Sequence, residues 1–193
     1  TYNGSSWTEV GDLNLARVGI VGADLGTQTA TLAFGGYVSP AEKNETELWN
    51  GTAWTEVSNL TTAKRTSVGS GTSTAALCSG GHTAPGVTAT NESWDGSSWT
   101  EAADLNTARR QFNGTGASNT NAVVFAGVGG TALTELWDGS SWSEDGDMNT
   151  ARSTLAGSGG SSSSAIASGG DPGSKADTEE WSFAASVETI AFD

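Results

Sequence analysis

Trp94-Asp95-Gly96-Ser97-Ser98-Trp99 is the stretch on which the reading of this chain turns. Two tryptophans flank four residues whose Asp-Gly pair favours a primed hairpin turn, because both central positions adopt positive φ at little cost. The pattern recurs as Trp49-Asn-Gly-Thr-Ala-Trp54 and Trp137-Asp-Gly-Ser-Ser-Trp142. A variant, Tyr2-Asn-Gly-Ser-Ser-Trp7, opens the chain, and Trp181 follows near the end. Successive second tryptophans lie 47, 45 and 43 residues apart. A period of that length, in a chain rich in glycine and short turns, marks a repeat architecture.

Each unit predicts four short strands. In the first, Val18–Gly22 and Thr29–Gly36 read as strands. Tyr37–Asn44 is a loop, and Thr46–Trp49 and Trp54–Val57 form a hairpin about Asn50-Gly51. The later units keep the phase. The basic residues Arg17, Lys64, Arg109 and Arg152 precede the first strands, and Gly35-Gly36, Gly80-Gly81, Ala126-Gly127 and Gly169-Gly170 end the second. A glutamate stands two residues before each third-strand tryptophan, at Glu47, Glu92, Glu135 and Glu179. Asp12, Asp104 and Asp147 each precede their arginine by five residues, with Asn59 before Lys64, which predicts a pair bracing each connection.

Composition agrees with a thin-cored all-β protein. Leu, Ile, Val and Phe make up only about 16% of the 193 residues at a formal charge of −14, the range of disordered chains. The strict phasing of eight tryptophans overrules that reading, since each buries a large apolar area. Acids outnumber bases 22 to 8, so nucleic acid and anionic lipid are not expected partners. No apolar run is long enough to span a bilayer, so membrane insertion is not expected either. Cys78, the single cysteine, excludes an intrachain disulfide and reads as a small buried side chain.

These residues resemble the kelch repeat: a base opening the unit (Arg17), a double glycine (Gly35-Gly36), an aromatic ending the third strand (Trp49) and a tryptophan in the fourth (Trp54). The resemblance implies an all-β, four-bladed kelch-like β-propeller over residues 1–182, each blade of four antiparallel strands. The N-terminal strand carrying Trp7 is expected to complete the last blade, which holds Trp181. Six or seven blades are usual in that family. A narrow ring fits the glycines five residues after each base, Gly22, Gly69, Gly114 and Gly157. The alternatives are a fragment of a larger array and a ring shared by several chains. Residues 183–193 form a C-terminal extension read as a further strand, a plug or a connection to a neighbour. The wording Trp-Asp-Gly-Ser-Ser-Trp and Asn-Thr-Ala-Arg is also similar to repeat arrays in structural and tail-fibre proteins of marine bacteriophages.

The phased tryptophans and bases are expected to be structural. The departures from the repeat gather between the second and third strands. There lie Tyr37, Lys43, His82, Asp171 and Lys175, with Pro40, Pro85 and Pro172. Variable loops on a repeating frame are where recognition sits, and these five residues are the candidate ligand-binding set. One histidine and one cysteine make neither an ordinary metal site nor a catalytic pair, and no cofactor is expected. Copper radical oxidases occur among kelch-like propellers, but their ligands need more histidines and tyrosines than this chain has. The expected function is non-catalytic: a phage appendage or tail-fibre part, in the virion or extracellular, meeting a cell-surface glycan or protein. Other virion subunits or copies of the chain are further expected partners. The alternatives are a bacterial adhesion module and, more weakly, a glycosidase using acids such as Glu179 and Glu180.

Overall fold

The structure, a computed structural model, describes residues 1–128 and 131–182. Among them every regular element is a β-strand. The first unit holds β1 (Val21–Gly22), β2 (Thr31–Phe34), β3 (Tyr37–Val38), β4 (Ala41–Glu42), β5 (Thr46–Trp49) and β6 (Trp54–Val57). The second holds β7 (Val68–Gly71), β8 (Ala76–His82), β9 (Val87–Trp94) and β10 (Trp99–Ala102). The third holds β11 (Asn113–Ser118), β12 (Asn121–Phe125), β13 (Thr134–Trp137) and β14 (Trp142–Asp145). The fourth holds β15 (Ala156–Ser161), β16 (Ser164–Ser168) and β17 (Thr178–Ser182).

Each unit is one antiparallel sheet. The orders are β1-β2-β5-β6, β7-β8-β9-β10, β11-β12-β13-β14 and β15-β16-β17, with β3-β4 a separate small hairpin. The segment Tyr37–Asn44, expected as a plain loop, thus contains a two-stranded ribbon. The register is the one the tryptophan pairs dictate. Trp49 faces Trp54, Trp94 faces Trp99 and Trp137 faces Trp142 across their hairpins. Their rings sit 5.3–5.4 Å apart in tilted contact. In each hairpin the Asn or Asp after the first tryptophan accepts two backbone N–H groups, as Asp95 Oδ1 does from Ser97 and Ser98 at 2.8 Å.

The sheets stack through their first strands, β1 against β7, β7 against β11 and β11 against β15. Glycine makes the approach possible: a Cβ on Gly69 would lie 2.2 Å from Gly22 O. Apolar side chains fill the spaces between sheets. Leu32 and Phe34 meet Cys78, Trp94 and Trp99, while Leu77 meets Val124, Trp137 and Trp142. Val123 and Phe125 meet Leu155, Ala165 and Ala167.

The buried bases do not pair with the aspartates five residues before them. Each pairs with the glutamate of the third strand. Arg17–Glu47 and Arg152–Glu179 lie at 3.0 Å and Lys64–Glu92 at 3.1 Å, and Arg109–Glu135 completes the set. Each carboxylate also takes backbone N–H groups from the chain entering the unit: Asn14, Thr61 and Thr62, Asn106 and Thr107, Asn149 and Thr150. A base enclosed by its own sheet requires a charge inside that sheet. Asp104 and Asp147 lie at the rim, where they accept the N–H groups of Asn91 and Thr134, as Asn59 does for Thr46.

One backbone link recurs at each junction. Thr66 N donates to Gly19 O, Gln111 N to Thr66 O and Thr154 N to Gln111 O. Among the described residues no such link joins Gly19 to Thr154. The N-terminal strand also departs from expectation. Tyr2 and Trp7 form an isolated bridge held to the first unit by Gln28 Nε2 on Tyr2 O. The sheet of Trp181 has three strands among the described residues, and Trp7 is 82% exposed. The N-terminal residues are held on the first unit and do not complete the fourth. Residues 183–193 lie outside the described residues.

Candidate recognition face

The frame creates one backbone slot that recurs with a different side chain each time. It lies just after the pair of small residues ending the second strand, where the main chain turns through left-handed conformations. Gly35 and Gly36 have φ of 64° and 112°, and Ala126 takes 68° in the third unit. The next residue is Tyr37, His82, Val128 or Asp171. Each is hydrogen-bonded to the residue following the buried base: Tyr37 to Val18, His82 to Arg65, Val128 to Arg110 and Asp171 to Ser153. Three of the five candidate residues therefore occupy equivalent sites.

Lys43 and Lys175 share a second slot, four residues before the paired glutamate, with Thr88 and Thr131. The carbonyls of Lys43, Thr88 and Thr131 accept the backbone N–H of Lys64, Arg109 and Arg152, which holds this slot beside the first. Lys175 N donates to Gly170 O, and Asp171 Oδ1 accepts from Gly173 N; both residues are exposed.

The structure joins Tyr37 and His82 through Arg65 and Glu42, two residues outside the candidate set. The Arg65 guanidinium lies over the Tyr37 ring at 4.4 Å. Glu42 Oε1 stands 3.4 Å from Arg65 Nε and 3.1 Å from His82 Nδ1. The Glu42 carboxyl sits below its ordinary range. The largest influence, burial, pushes it up, but its own backbone N–H, His82 and Arg65 together pull it down. The cluster bridges the first and second units. Beside it runs an open groove of about 570 Å³ lined by Glu42, five threonines and three alanines. Arg65 was legible in one respect: the residue after the buried base varies as Val18, Arg65, Arg110 and Ser153. Glu42 gave no such signal.

The cluster does not unite all five candidates. Asp171 and Lys175 belong to the fourth unit, and Lys43 has no ion pair among the described residues. No group of three or more His, Cys, Asp or Glu side chains is gathered in metal-binding range among the described residues. Glu179 and Glu180, the weaker catalytic alternative, are neighbours on β17 and point to opposite faces of the sheet. Glu179 is engaged by Arg152.

No family model matches the chain, and a search of the curated proteins returns no relative.

Proposed function

We propose that this protein is a non-catalytic recognition module. On this reading its four units are the blades of a small kelch-like propeller, and its ligand is a cell-surface glycan or protein. The observation that carries the reading is the contrast between frame and slot. The ion pairs, tryptophans and turns repeat from unit to unit. The slot residues read Tyr, His, Val and Asp, and their hydrogen-bonded partners Val, Arg, Arg and Ser. A frame that repeats its structure while varying one face gives that face freedom to specialise. The groove beside Glu42, lined by threonines and alanines, offers both polar groups and apolar surface of the kind a sugar needs. The propeller reading draws support from a tight turn. Asp24 of the first unit bonds to Thr115 of the third at 2.6 Å, as opposite blades of a four-membered ring would permit.

The likeness of the repeat wording to phage tail-fibre arrays makes a virion appendage the favoured setting, with the variable face toward the host cell. The test is a glycan array and whole-cell binding with the intact chain and with a Tyr37→Ala, His82→Ala, Lys175→Ala variant. The reading requires loss of binding at an unchanged melting temperature. Binding that persists in the variant removes the face from consideration.

A further inference from the structure

Asp24 breaks the repeat at one point. It stands seven residues after Arg17, and the residues seven after Lys64, Arg109 and Arg152 are Gly71, Gly116 and Gly159. The three glycines have no room for a side chain. A Cβ would lie 2.2 Å from Ala75 O at Gly71, 2.4 Å from Asn121 O at Gly116 and 2.3 Å from Ser164 O at Gly159. Only the first unit can therefore place a side chain at this level.

The Asp24 carboxylate reaches the first strands of the second and third units. Oδ1 accepts the N–H of Gly71 at 2.7 Å. Oδ2 accepts the hydroxyl of Thr115 at 2.6 Å and the N–H of Gly116 at 3.3 Å. Leu25 N donates to Gly71 O at 2.9 Å, fixing the same segment from the backbone. Asp24 as a whole residue is exposed, yet both carboxylate oxygens are engaged by other units.

We infer that the first strands of the second and third units form a small anion cradle, and that Asp24 is its built-in occupant, clasping three units about a common axis. The donors are two glycine amides and one hydroxyl, uncharged groups suited to one carboxylate. The clasp adds order that the sheet junctions alone do not supply, because it joins units that are not neighbours in the stack. This inference does not depend on the recognition reading.

The experiment is chemical rescue. Thermal unfolding of the wild type and of Asp24→Gly is compared in sodium formate and in sodium chloride at equal ionic strength. The variant should melt roughly 4–8 °C lower in chloride. Formate should restore part of that loss in a saturable way while leaving the wild type unchanged. An unchanged melting temperature, or a loss that formate does not recover, overturns the inference. Should Asp24→Gly fail to fold, Asp24→Asn is read by amide hydrogen exchange. Asparagine keeps a single acceptor oxygen, so at least one of the Gly71 and Gly116 amides should then exchange about ten- to a hundredfold faster than in the wild type. Equal rates overturn the clasp.

Discussion

Trp99 donates its indole Nε1–H to Thr46 Oγ1 at 3.0 Å, tying the outer strand of the second sheet to the third strand of the first. Its ring also meets Phe34 edge-on at 4.9 Å. Trp142 holds the matching position one unit later, yet its buried Nε1 has no hydrogen-bond partner. The reason is local. Asn91 replaces the threonine there, and its side chain is taken by Ser79 and Ala103.

The two tryptophans should therefore respond differently to one substitution. Both lose apolar contact on replacement by phenylalanine, but only Trp99→Phe loses a hydrogen bond. Urea unfolding should show Trp99→Phe the more destabilised of the two by about 1–2 kcal/mol. Equal losses would mean that the Thr46 bond contributes nothing.

Arg109 and Glu135 are an ion pair with both side chains at 0% exposure. Burial pulls the Arg109 pKa below its ordinary value, and Glu135 counters by favouring the charged form. Glu135→Leu strands a buried guanidinium and should cost about 3–5 kcal/mol. Adding Arg109→Met should recover part of this, leaving the double variant more stable than the sum of the single losses. Strict additivity in a double-mutant cycle would contradict the pairing.

Acid titration should separate two opposed contributions. The backbone N–H of Ser98, with the Ser97 hydroxyl and N–H, holds the Asp95 carboxyl down at about 2. The backbone N–H groups of Ser141 and Ser140 lead in doing the same for Asp138, also at about 2. A carboxyl depressed by folding stabilises above its unfolded value, and that contribution disappears as pH falls through about 2. Asp24 has the opposite sign. Burial raises it, against the lowering by Thr115, Gly71 and Gly116, so stability rises as pH falls through its folded value. Calorimetry should show a flatter acid limb between about pH 4 and pH 2 for Asp95→Asn with Asp138→Asn. Asparagine is tolerated in this turn, because Asn50 Oδ1 already accepts the N–H groups of Thr52 and Ala53. Asp24→Asn should instead remove the gain on acidification. An unaltered acid limb in the double variant would show that the turns do not contribute to it.

Much of this architecture was readable from local chemistry. Thr46–Trp49 and Trp54–Val57 form the strands expected of them, but the turn is not the primed one with two residues at positive φ: four residues separate the paired tryptophans, Gly51 alone turns at φ 92°, and the Asn50 side chain closes the loop on the N–H groups of Thr52 and Ala53. The first strand is shorter than Val18–Gly22. Gly19 turns at φ 61°, and Val18 pairs with Tyr37 of the loop instead of with β2. The ion pairs are not legible from spacing, because an aspartate lies five residues from its base whereas the true partner lies 26 to 30 residues on, across the sheet. Nearness along the chain favours a contact only where the fold does not turn the side chains apart. The same limit hid Glu42, whose role depends on Arg65 and His82 arriving from the next unit. Tyr37 and His82 were recognisable because a repeat exposes whatever departs from it.

The units turn tightly enough for the first and third to meet. Asp24→Cys and Thr115→Cys in a Cys78→Ser background test it directly. A short thiol-to-thiol cross-linker such as dibromobimane, which spans the reach of the lost carboxylate, followed by thiol titration in denaturant, should find both new cysteines joined within one monomeric chain, because the Asp24 carboxylate and the Thr115 hydroxyl lie 2.6 Å apart. Two cysteines that are each labelled but never joined, with the protein folded, would place the first and third units apart and contradict the shared axis.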